Sequence, residues 1–584
     1  MKTAVPRASA CPPLVVAEHR LKLRDGAELS YRSWVPEGPV RRAVMLFHRG
    51  HEHSGRWDET VRHLGLEQTA YFAWDQRGHG HSSGERGTAP GISTVIADAD
   101  EWFQHLVSTH GVTAEQTVVV AHSLGAVIAT AWVHDFAPRI RGLVLATPAW
   151  QVNLFVPLAL PALRWKERLL GPGFVTSYVS ASMLTHDREQ ARQYQDDPLI
   201  FRQIAINMLV DLHDTSQRLL ADAGAITLPL LVLAAGSDWV VKRPAQERFV
   251  ERVSSRWKRF EILPGFSHAI FHETNRDQVV ERISEFIESC HAHPVDYQSL
   301  QHADQEGYTH EEYERLRRPG GYHFLPVKWS MLGPGRISRG IALGWKHGFD
   351  SGLMLDYIYA NRAQGLTPIG RLVDRIYLDA IGWRGIRIRR EMMGRLLQRT
   401  MRQVHQAGHP VRLLDLAAGP GRYVLETMRD CRDLEPSALL RDYRAENLDA
   451  ARKLAAQLQV ERVTVELGDA FDRKSIADVT PPPTIAVVSG LYELFPDNER
   501  VMESLRGLVD AVPTGGYLIY TNQPWHPQVE LIARTLRNRE GQPWVMRRRT
   551  QAEMDELVRA AGFEKVAQEI DPWGIFSVSV ARRT

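Results

Sequence analysis

The run Val118–Val119–Val120–Ala121–His122–Ser123–Leu124–Gly125–Ala126–Val127–Ile128–Ala129–Thr130 constrains this chain more than any other stretch. A β-branched apolar segment passes through a turn of small residues carrying one serine, then into an Ala-rich segment suited to a helix. This is the strand–turn–helix order in which a sharp turn lifts a serine hydroxyl above a sheet edge. Small residues must flank that serine, because the tight turn leaves no room between the neighbouring strand and helix. The pattern is Gly-x-Ser-x-Gly with Ala121 in the first small position. A buried serine in an ordinary tight turn would write the same five residues, so the reading needs partners elsewhere in the chain.

At 584 residues the chain exceeds what one hydrophobic core supports, which allows roughly three or four domain-sized units. A composition of 44% hydrophobic and 24% charged residues excludes bulk disorder. The net charge of +2 gives no global reason to expect nucleic acid as a partner. Cys11, Cys290 and Cys431 are too scattered for a disulfide framework or a zinc pattern, so a reducing compartment is expected. Residues 1–17 read as a flexible tail: Pro6, Pro12 and Pro13 interrupt it, and no hydrophobic region precedes Ala8–Ser9–Ala10 as a signal peptide would require. The most apolar stretch, Phe155–Leu163, is short and carries Pro157 and Pro161, so no membrane span is expected and a cytoplasmic location is.

Alternation of Leu21, Leu23, Leu29, Tyr31 and Trp34 with charged residues, broken at Asp25–Gly26, predicts an opening β-hairpin. Ala43–Phe47 reads as a buried strand leading into His48–Arg49–Gly50. In a serine hydrolase this loop supplies one backbone N–H of the oxyanion hole and the residue after the nucleophile supplies the other. Gly50 and Leu124 are the candidates. His51 and His53 have no clustered third ligand, so a metal site is not expected. The glycines of Gln76–Arg77–Gly78–His79–Gly80–His81–Ser82 suit a tight loop better than a phosphate cradle. Between about residues 150 and 221 the text becomes helical and Pro-punctuated, without obvious strands, as in a lid over a pocket. Strands resume at Pro229–Ala235, with Asp238 just beyond, and at Arg259–Leu263, with His268 just beyond.

The order Ser123, Asp238, His268, each on a loop at a strand's carboxyl end, is the order an α/β-hydrolase sheet brings to one edge. The chemistry requires all three: His268 would take the serine proton, and Asp238 would fix the imidazole tautomer and stabilise the imidazolium. Residues 18–290 resemble the monoacylglycerol lipase/lysophospholipase branch of the α/β-hydrolases. The motifs are His48–Trp57, Asp75–Gly87, Ala121–Gly125, and Leu184–Thr185–His186–Asp187 with Asp197–Pro198–Leu199 in the cap. The family carries Gly where this chain has Arg49, and usually Gly where it has Ala121. The resemblance implies hydrolysis of an acyl-lipid ester through an acyl-enzyme, with no cofactor.

Residues 291–340 read as a polar linker containing a solvated helix, and 341–410 as a helical connecting region. Arg384, Arg387, Arg389, Arg390, Arg395, Arg399 and Arg402 crowd its end. Two readings stand: a helix face packed on the next domain, which is favoured, or a basic face in peripheral contact with an anionic membrane at the inner surface of the cell. The spacing is not that of a nucleic-acid reader.

Val411–Tyr423 reads as a strand ending in an acid-led glycine turn, Asp415-x-x-x-Gly419-x-Gly421, where the backbone can approach a nucleotide-like ligand. A second strand ends at Asp442, placed as a ribose-hydroxyl acceptor is in a Rossmann unit. A dinucleotide fold would want a third glycine, which is missing. The series instead resembles class I S-adenosylmethionine-dependent methyltransferases over residues 411–584, through Asp415–Gly421, Gly468–Asp469–Ala470, Ser489–Leu494, Pro513–Tyr520 and a closing strand at Gly574–Val580. The resemblance implies S-adenosylmethionine as cofactor, with contacts at Asp415, Gly419, Gly421, Asp442 and Asp469. Tyr492 and Glu493 are the polar residues nearest the acceptor side. The expected architecture is α/β throughout: an N-terminal α/β-hydrolase fold with a helical cap at about 150–221, then a C-terminal Rossmann-like methyltransferase fold with a helical connecting region. Two alternatives remain: a non-catalytic ligand- or membrane-binding C-terminal module, and thioesterase- or aminopeptidase-type hydrolysis on the same triad.

Overall fold

The computed structural model describes residues 14–153 and 159–584, and the chain divides into two compact units, Met1–Asp296 and Tyr297–Thr584. Most of the expected tail, with Cys11, and the start of the stretch Phe155–Leu163 lie outside the described residues. Leu14–Ala17, also assigned to the tail, belong to the first strand.

In the first unit the strands are β1 (Leu14–Lys22), β2 (Glu28–Pro36), β3 (Arg42–Phe47), β4 (Thr69–Trp74), β5 (Thr117–His122) and β6 (Gly142–Ala146). The short β7 (Phe174–Thr176) and β8 (Gln203–Ala205) follow, then β9 (Leu230–Ala235) and β10 (Lys258–Leu263). Eight of them form one sheet in the order β1-β2-β4-β3-β5-β6-β9-β10. The β1–β2 and β2–β4 pairs are antiparallel, and every pair from β4 to β10 is parallel. The parallel strands need no polar alternation because helices cover both faces: β4, β5, β6 and β9 are buried at every residue. Reversal of strand order around β3–β5 opens a crevice at the strands' carboxyl ends, where ligands bind in open α/β sheets. The cap holds helices Ala159–Leu170, Arg188–Asp196 and Ile206–Ala221. It also holds the antiparallel β7–β8 pair, against the expectation of a strand-free cap. At three residues each, those strands are too short to show a period of two.

The second unit contributes β11 (Arg412–Leu416), β12 (Ser437–Asp442), β13 (Val463–Leu467), β14 (Ile485–Val488), β15 (Tyr517–Asn522), β16 (Phe563–Ile570) and β17 (Ser577–Arg583). They form one sheet in the order β13-β12-β11-β14-β15-β17-β16, parallel except for the last two pairings. Two apolar layers sandwich it, one of them built partly on the 26-residue helix Ile381–Gln406.

Most of the stretch assigned to a linker is folded into this unit. Helix Tyr308–Arg317 buries Thr309, Glu312 and Leu316. The Glu312 carboxylate pairs with the guanidinium of Arg548, itself buried between buried Arg547 and Arg549. A Glu- and His-rich helix reads as solvated because its partner lies 236 residues away. Most of the crowded arginines of helix Ile381–Gln406 are likewise engaged. Arg390 pairs with Glu426, Arg395 with Glu569 and Arg402 with Asp433, while Arg384 lies over Trp573 and Arg389 is buried. Among the described residues no helix is long and apolar enough to cross a membrane.

Candidate active sites

In the first unit β5 ends at His122, and helix Leu124–Phe136 starts immediately after Ser123. Ser123 therefore carries the whole turn, at φ 55° and ψ −112°, outside the regions a non-glycine residue prefers. Tight packing holds this strain. A Cβ on Gly125 would lie 2.4 Å from the His48 carbonyl oxygen and 2.7 Å from that of Phe47. Ala121, in the other small position, is fully buried in β5.

The sheet brings the three candidates together. Ser123 Oγ lies 2.8 Å from His268 Nε2, and His268 Nδ1 lies 2.9 Å from Asp238 Oδ2. Asp238 Oδ1 accepts from the backbone N–H groups of Val240 and Val241 at 2.8 and 3.0 Å. Burial pushes the Asp238 carboxyl up, but His268 and these two N–H groups more than offset it, so the acid is held below its ordinary value. Ser123 and His268 are buried, and the His268 backbone carbonyl accepts from Thr147 Oγ1 at 3.1 Å and sits 3.0 Å from His122 Nε2. Leu124 is the first residue of its helix, so its N–H has no acceptor within the helix. Gly50 is beside it: a Cβ there would stand 3.7 Å from Leu124 Cδ2.

The loop bearing Gly50 is fixed from several sides. His48 Nε2 accepts from Gln76 N at 3.1 Å, so its Nδ1–H is turned to the Arg49 carbonyl at 2.8 Å. The Asp75 carboxylate accepts from Ser54 N at 2.6 Å and His81 N at 2.7 Å. That contact leaves no room for a side chain at Gly80, whose Cβ would come within 2.2 Å of Asp75 Oδ2 at a φ of +47°. Arg49, in the place of the family's glycine, is buried; it meets Glu52 at 2.9 Å and lies over the Tyr194 ring at 4.7 Å. Burial pushes the Glu52 acid up, yet Arg49, His272 and Arg56 hold it well below the usual carboxylate range. His53 Nδ1 accepts from Gly55 N at 3.2 Å, capping a turn, and its Nε2 sits 2.9 Å from Asp197 Oδ2.

Glu273 escapes sequence reasoning altogether. Its buried carboxylate accepts from Ser267 N at 2.8 Å and His186 N at 3.0 Å, tying the loop before His268 to the cap motif. Thr185 Oγ1 adds a bond to the His272 carbonyl at 2.7 Å. The signal was an acid five residues after the histidine, which on a loop has no diagnostic spacing.

In the second unit a cavity of about 560 Å³ opens at the carboxyl ends of β11, β12 and β14. Gly419, Gly421, Asp442 and Asp469 line it, together with Asn447 and Phe471. Asp442 Oδ2 accepts from Gly419 N at 2.9 Å, and Oδ1 from Arg444 N at 2.9 Å and Asn447 Nδ2 at 3.0 Å. Gly421 is required for packing, since a Cβ would meet Leu440 Cδ1 at 2.6 Å, whereas Gly419 faces open space. Asp415 departs from expectation. It does not line the cavity but lies fully buried beneath it, accepting from Tyr423 Oη at 2.9 and 3.0 Å. Burial first, and the nearby Asp442 charge, push its pKa well up despite the tyrosine. Tyr492 likewise points into the core, with its hydroxyl 3.0 Å from Ser504 Oγ, while Glu493 lines a second cavity.

The donor set of the first cavity fits S-adenosylmethionine. Asp442 stands at the end of β12, where ribose hydroxyls need acceptors, and Asn447 in the first turn of the following helix bonds to it. An aromatic ring at Phe471 offers a face for adenine, and open backbone at Gly419 leads into the N-terminus of helix Arg422–Asp430.

Two family models match the chain. One described as "Serine aminopeptidase, S33" covers residues 38–275, and one described as "Putative methyltransferase" covers residues 283–583. The "Uncharacterized protein YnbC" of Escherichia coli (strain K12) is 46% identical over 582 residues, spanning 97% of this chain and 99% of that one. The "Monoacylglycerol lipase" of Mycolicibacterium smegmatis (strain ATCC 700084 / mc(2)155) is 27% identical over 279 residues, 47% of this chain and 97% of its own. The "Monoglyceride lipase" of Homo sapiens is 26% identical over 265 residues, 43% of this chain and 86% of its own. The chain carries an α/β-hydrolase domain similar to monoacylglycerol lipases ahead of a methyltransferase domain, and it belongs to the family described as "Putative methyltransferase", with YnbC among its relatives.

Proposed function

We propose that the first unit is a serine hydrolase that cleaves acyl esters of the monoacylglycerol or lysophospholipid type, and that the second transfers a methyl group from S-adenosylmethionine. The hydrogen-bonded series Ser123–His268–Asp238 carries the first half of this reading. Ser123 Oγ attacks the ester carbonyl while His268 Nε2 takes its proton, and Asp238 holds the imidazole tautomer and stabilises the imidazolium. The N–H groups of Gly50 and Leu124 receive the oxyanion, and the helix N-terminus behind Leu124 adds its dipole. His268 then protonates the leaving alcohol. Water, activated by the same imidazole, frees the acid from Ser123. Relatives named for monoacylglycerol and monoglyceride lipase activity support a small acyl-glycerol substrate.

In the second unit Asp442 is positioned for the ribose hydroxyls, the Asp469–Phe471 loop for adenine, and the Gly419–Gly421 turn with its helix N-terminus for the methionine carboxylate. The cofactor supplies an electrophilic methyl group on a sulfonium; the chain's part is to orient it and to keep water out. An acyl-lipid substrate and a cytoplasmic site of action complete the proposal.

The test is turnover of 1-monooleoylglycerol, lysophosphatidylcholine and an aminoacyl anilide by the full chain, beside calorimetric titration with S-adenosylmethionine. Ester cleavage without anilide cleavage and a saturable one-to-one heat are expected. Anilide turnover alone would favour an aminopeptidase, and absence of heat would leave the second unit a non-catalytic module.

A further inference from the structure

The second cavity of the methyltransferase unit, about 350 Å³, shares Asp350, Leu355, Arg389, Gly490, Leu494 and Trp544 with the cavity of the glycine turn. The two are contiguous, with Arg389 on the wall they share. Elsewhere its lining is mostly apolar and aromatic, including Trp383, Ile386, Ile532, Met546 and Phe576, with His526 and Gln528 bonded to each other through Gln528 N and His526 Nδ1. Two of the lining residues carry polar side chains with unmet hydrogen-bonding capacity. Glu493, 8% exposed, has no hydrogen-bond partner for Oε2, and Gln523, 2% exposed, has none for Nε2. A buried carboxylate oxygen and a buried amide N–H left unpaired are costly in an apolar surround, and such groups mark where a ligand's polar atoms belong. The rim is apolar too: helix Pro368–Leu378 turns Ile369, Leu372 and Ile376 outward at 67%, 61% and 66% exposure, and Ile376 also lines the cavity. That spacing puts all three on one helix face.

We propose that this cavity is the methyl-acceptor site, that its ligand is an apolar phenol, and that Glu493 receives the hydroxyl proton. The proposal rests on the S-adenosylmethionine reading of the adjoining cavity. Four features select the ligand class. The lining demands a molecule that is mostly ring and chain carbon. Glu493 Oε2 demands a hydrogen-bond donor. A carboxylate can take a proton from a hydroxyl whose ionisation a ring has brought near 10, as in tyrosine, but not from an alkanol. Arg389, 3.5 Å from Glu493 Oε1 and stacked 4.9 Å over Phe576, disfavours an ammonium and favours developing phenolate charge, while a carboxylic acid would set a second anion beside Glu493. In the transfer the phenol O–H bond breaks, its electron pair forms the O–CH3 bond, the methyl–sulfur bond leaves its pair on sulfur, and the proton rests on Glu493.

The experiment uses the full chain and 4-octylphenol as probe, with octylbenzene, 4-octylaniline and S-adenosylmethionine titrated beside it in a calorimeter. We expect saturable binding of 4-octylphenol, at least about tenfold weaker binding of octylbenzene, methyl transfer to 4-octylphenol in preference to 4-octylaniline, and 4-octylanisole formed when both ligands are present. Glu493→Gln should keep S-adenosylmethionine binding and lower the kcat of anisole formation about 10²–10⁴-fold with little change in KM. Ile532→Trp, which fills the cavity, should abolish 4-octylphenol binding and spare S-adenosylmethionine binding, a readout that also reports its folding. Equal binding of 4-octylphenol and octylbenzene, undiminished turnover by Glu493→Gln, or preference for 4-octylaniline would overturn the proposal. S-adenosylmethionine heat without 4-octylphenol heat would overturn the acceptor site and leave the cofactor reading standing. The converse would overturn the cofactor reading and the acceptor role with it.

Discussion

The two sites of this chain are built on opposite plans. Within the triad each side chain already has its partner: serine meets imidazole, imidazole meets carboxylate, and the carboxylate's second oxygen is held by two backbone N–H groups. In the methyltransferase unit the cavity walls present an open glycine turn, and the adjoining cavity leaves a carboxylate oxygen and an amide nitrogen unpaired. The first is preorganised without its substrate, as a site that must stabilise developing charge needs to be. The second is completed by what it binds. Preassembly concentrates function in a few residues whose loss is catastrophic; completion by ligand spreads it over many residues whose loss is graded.

That contrast breaks down unless substitutions rank accordingly. Ser123→Ala should lower ester hydrolysis by about 10⁴–10⁶-fold while calorimetry finds S-adenosylmethionine affinity unchanged. Asp238→Asn should cost about 10⁴-fold in kcat, through the wrong imidazole tautomer, with little loss of melting temperature. Asp442→Ala removes the acceptor for Gly419 N and Asn447; S-adenosylmethionine binding should weaken roughly 10–100-fold with ester hydrolysis intact. Gly125→Ala should destabilise the first unit by about 1–3 kcal/mol in urea melts, since its Cβ has no room beside the His48 and Phe47 carbonyls.

The smallest expected effect is a pH dependence of stability. Buried His134 lies between Asp135 at 2.7 Å and Asp222 at 2.8 Å. Burial lowers its pKa, but the two carboxylates raise it further, to a net value above 6.5. A folded value above the unfolded one means the contribution is full below pH 6.5 and disappears as pH rises through the raised value. Melting of the full chain should therefore lose stability between pH 6 and the alkaline side of that transition, and His134→Gln should flatten the dependence.

Much of the hydrolase site could be read from the residues because its signals are local. Each triad member follows a short strand by one to five residues; the strands before Ser123 and Asp238 are fully buried runs rich in Val, Leu and Ala, while the edge strand before His268 alternates charged and apolar residues. Signals that depend on distant partners were illegible. Glu312 reads as surface until Arg548 is placed against it. Arg49 reads as an intrusion into a glycine-rich loop until Glu52 and Tyr194 absorb it. Asp415 occupies the motif position of a cofactor ligand, but Tyr423, eight residues on along the next helix, covers it. The acceptor cavity was beyond reach for a similar reason: its lining comes from segments spread between Val327 and Phe576, each of which alone reads as core.

The account stands or falls on whether Ser123 is a nucleophile activated in the resting protein. Intact-mass measurement after incubation with a fluorophosphonate tests this without any assumption about acyl chain or headgroup. One adduct, mapped to the peptide containing Ser123, absent from Ser123→Ala and formed at least 10³-fold more slowly by Asp238→Asn, is the predicted result. No adduct, or labelling that Ser123→Ala leaves unchanged, would contradict it.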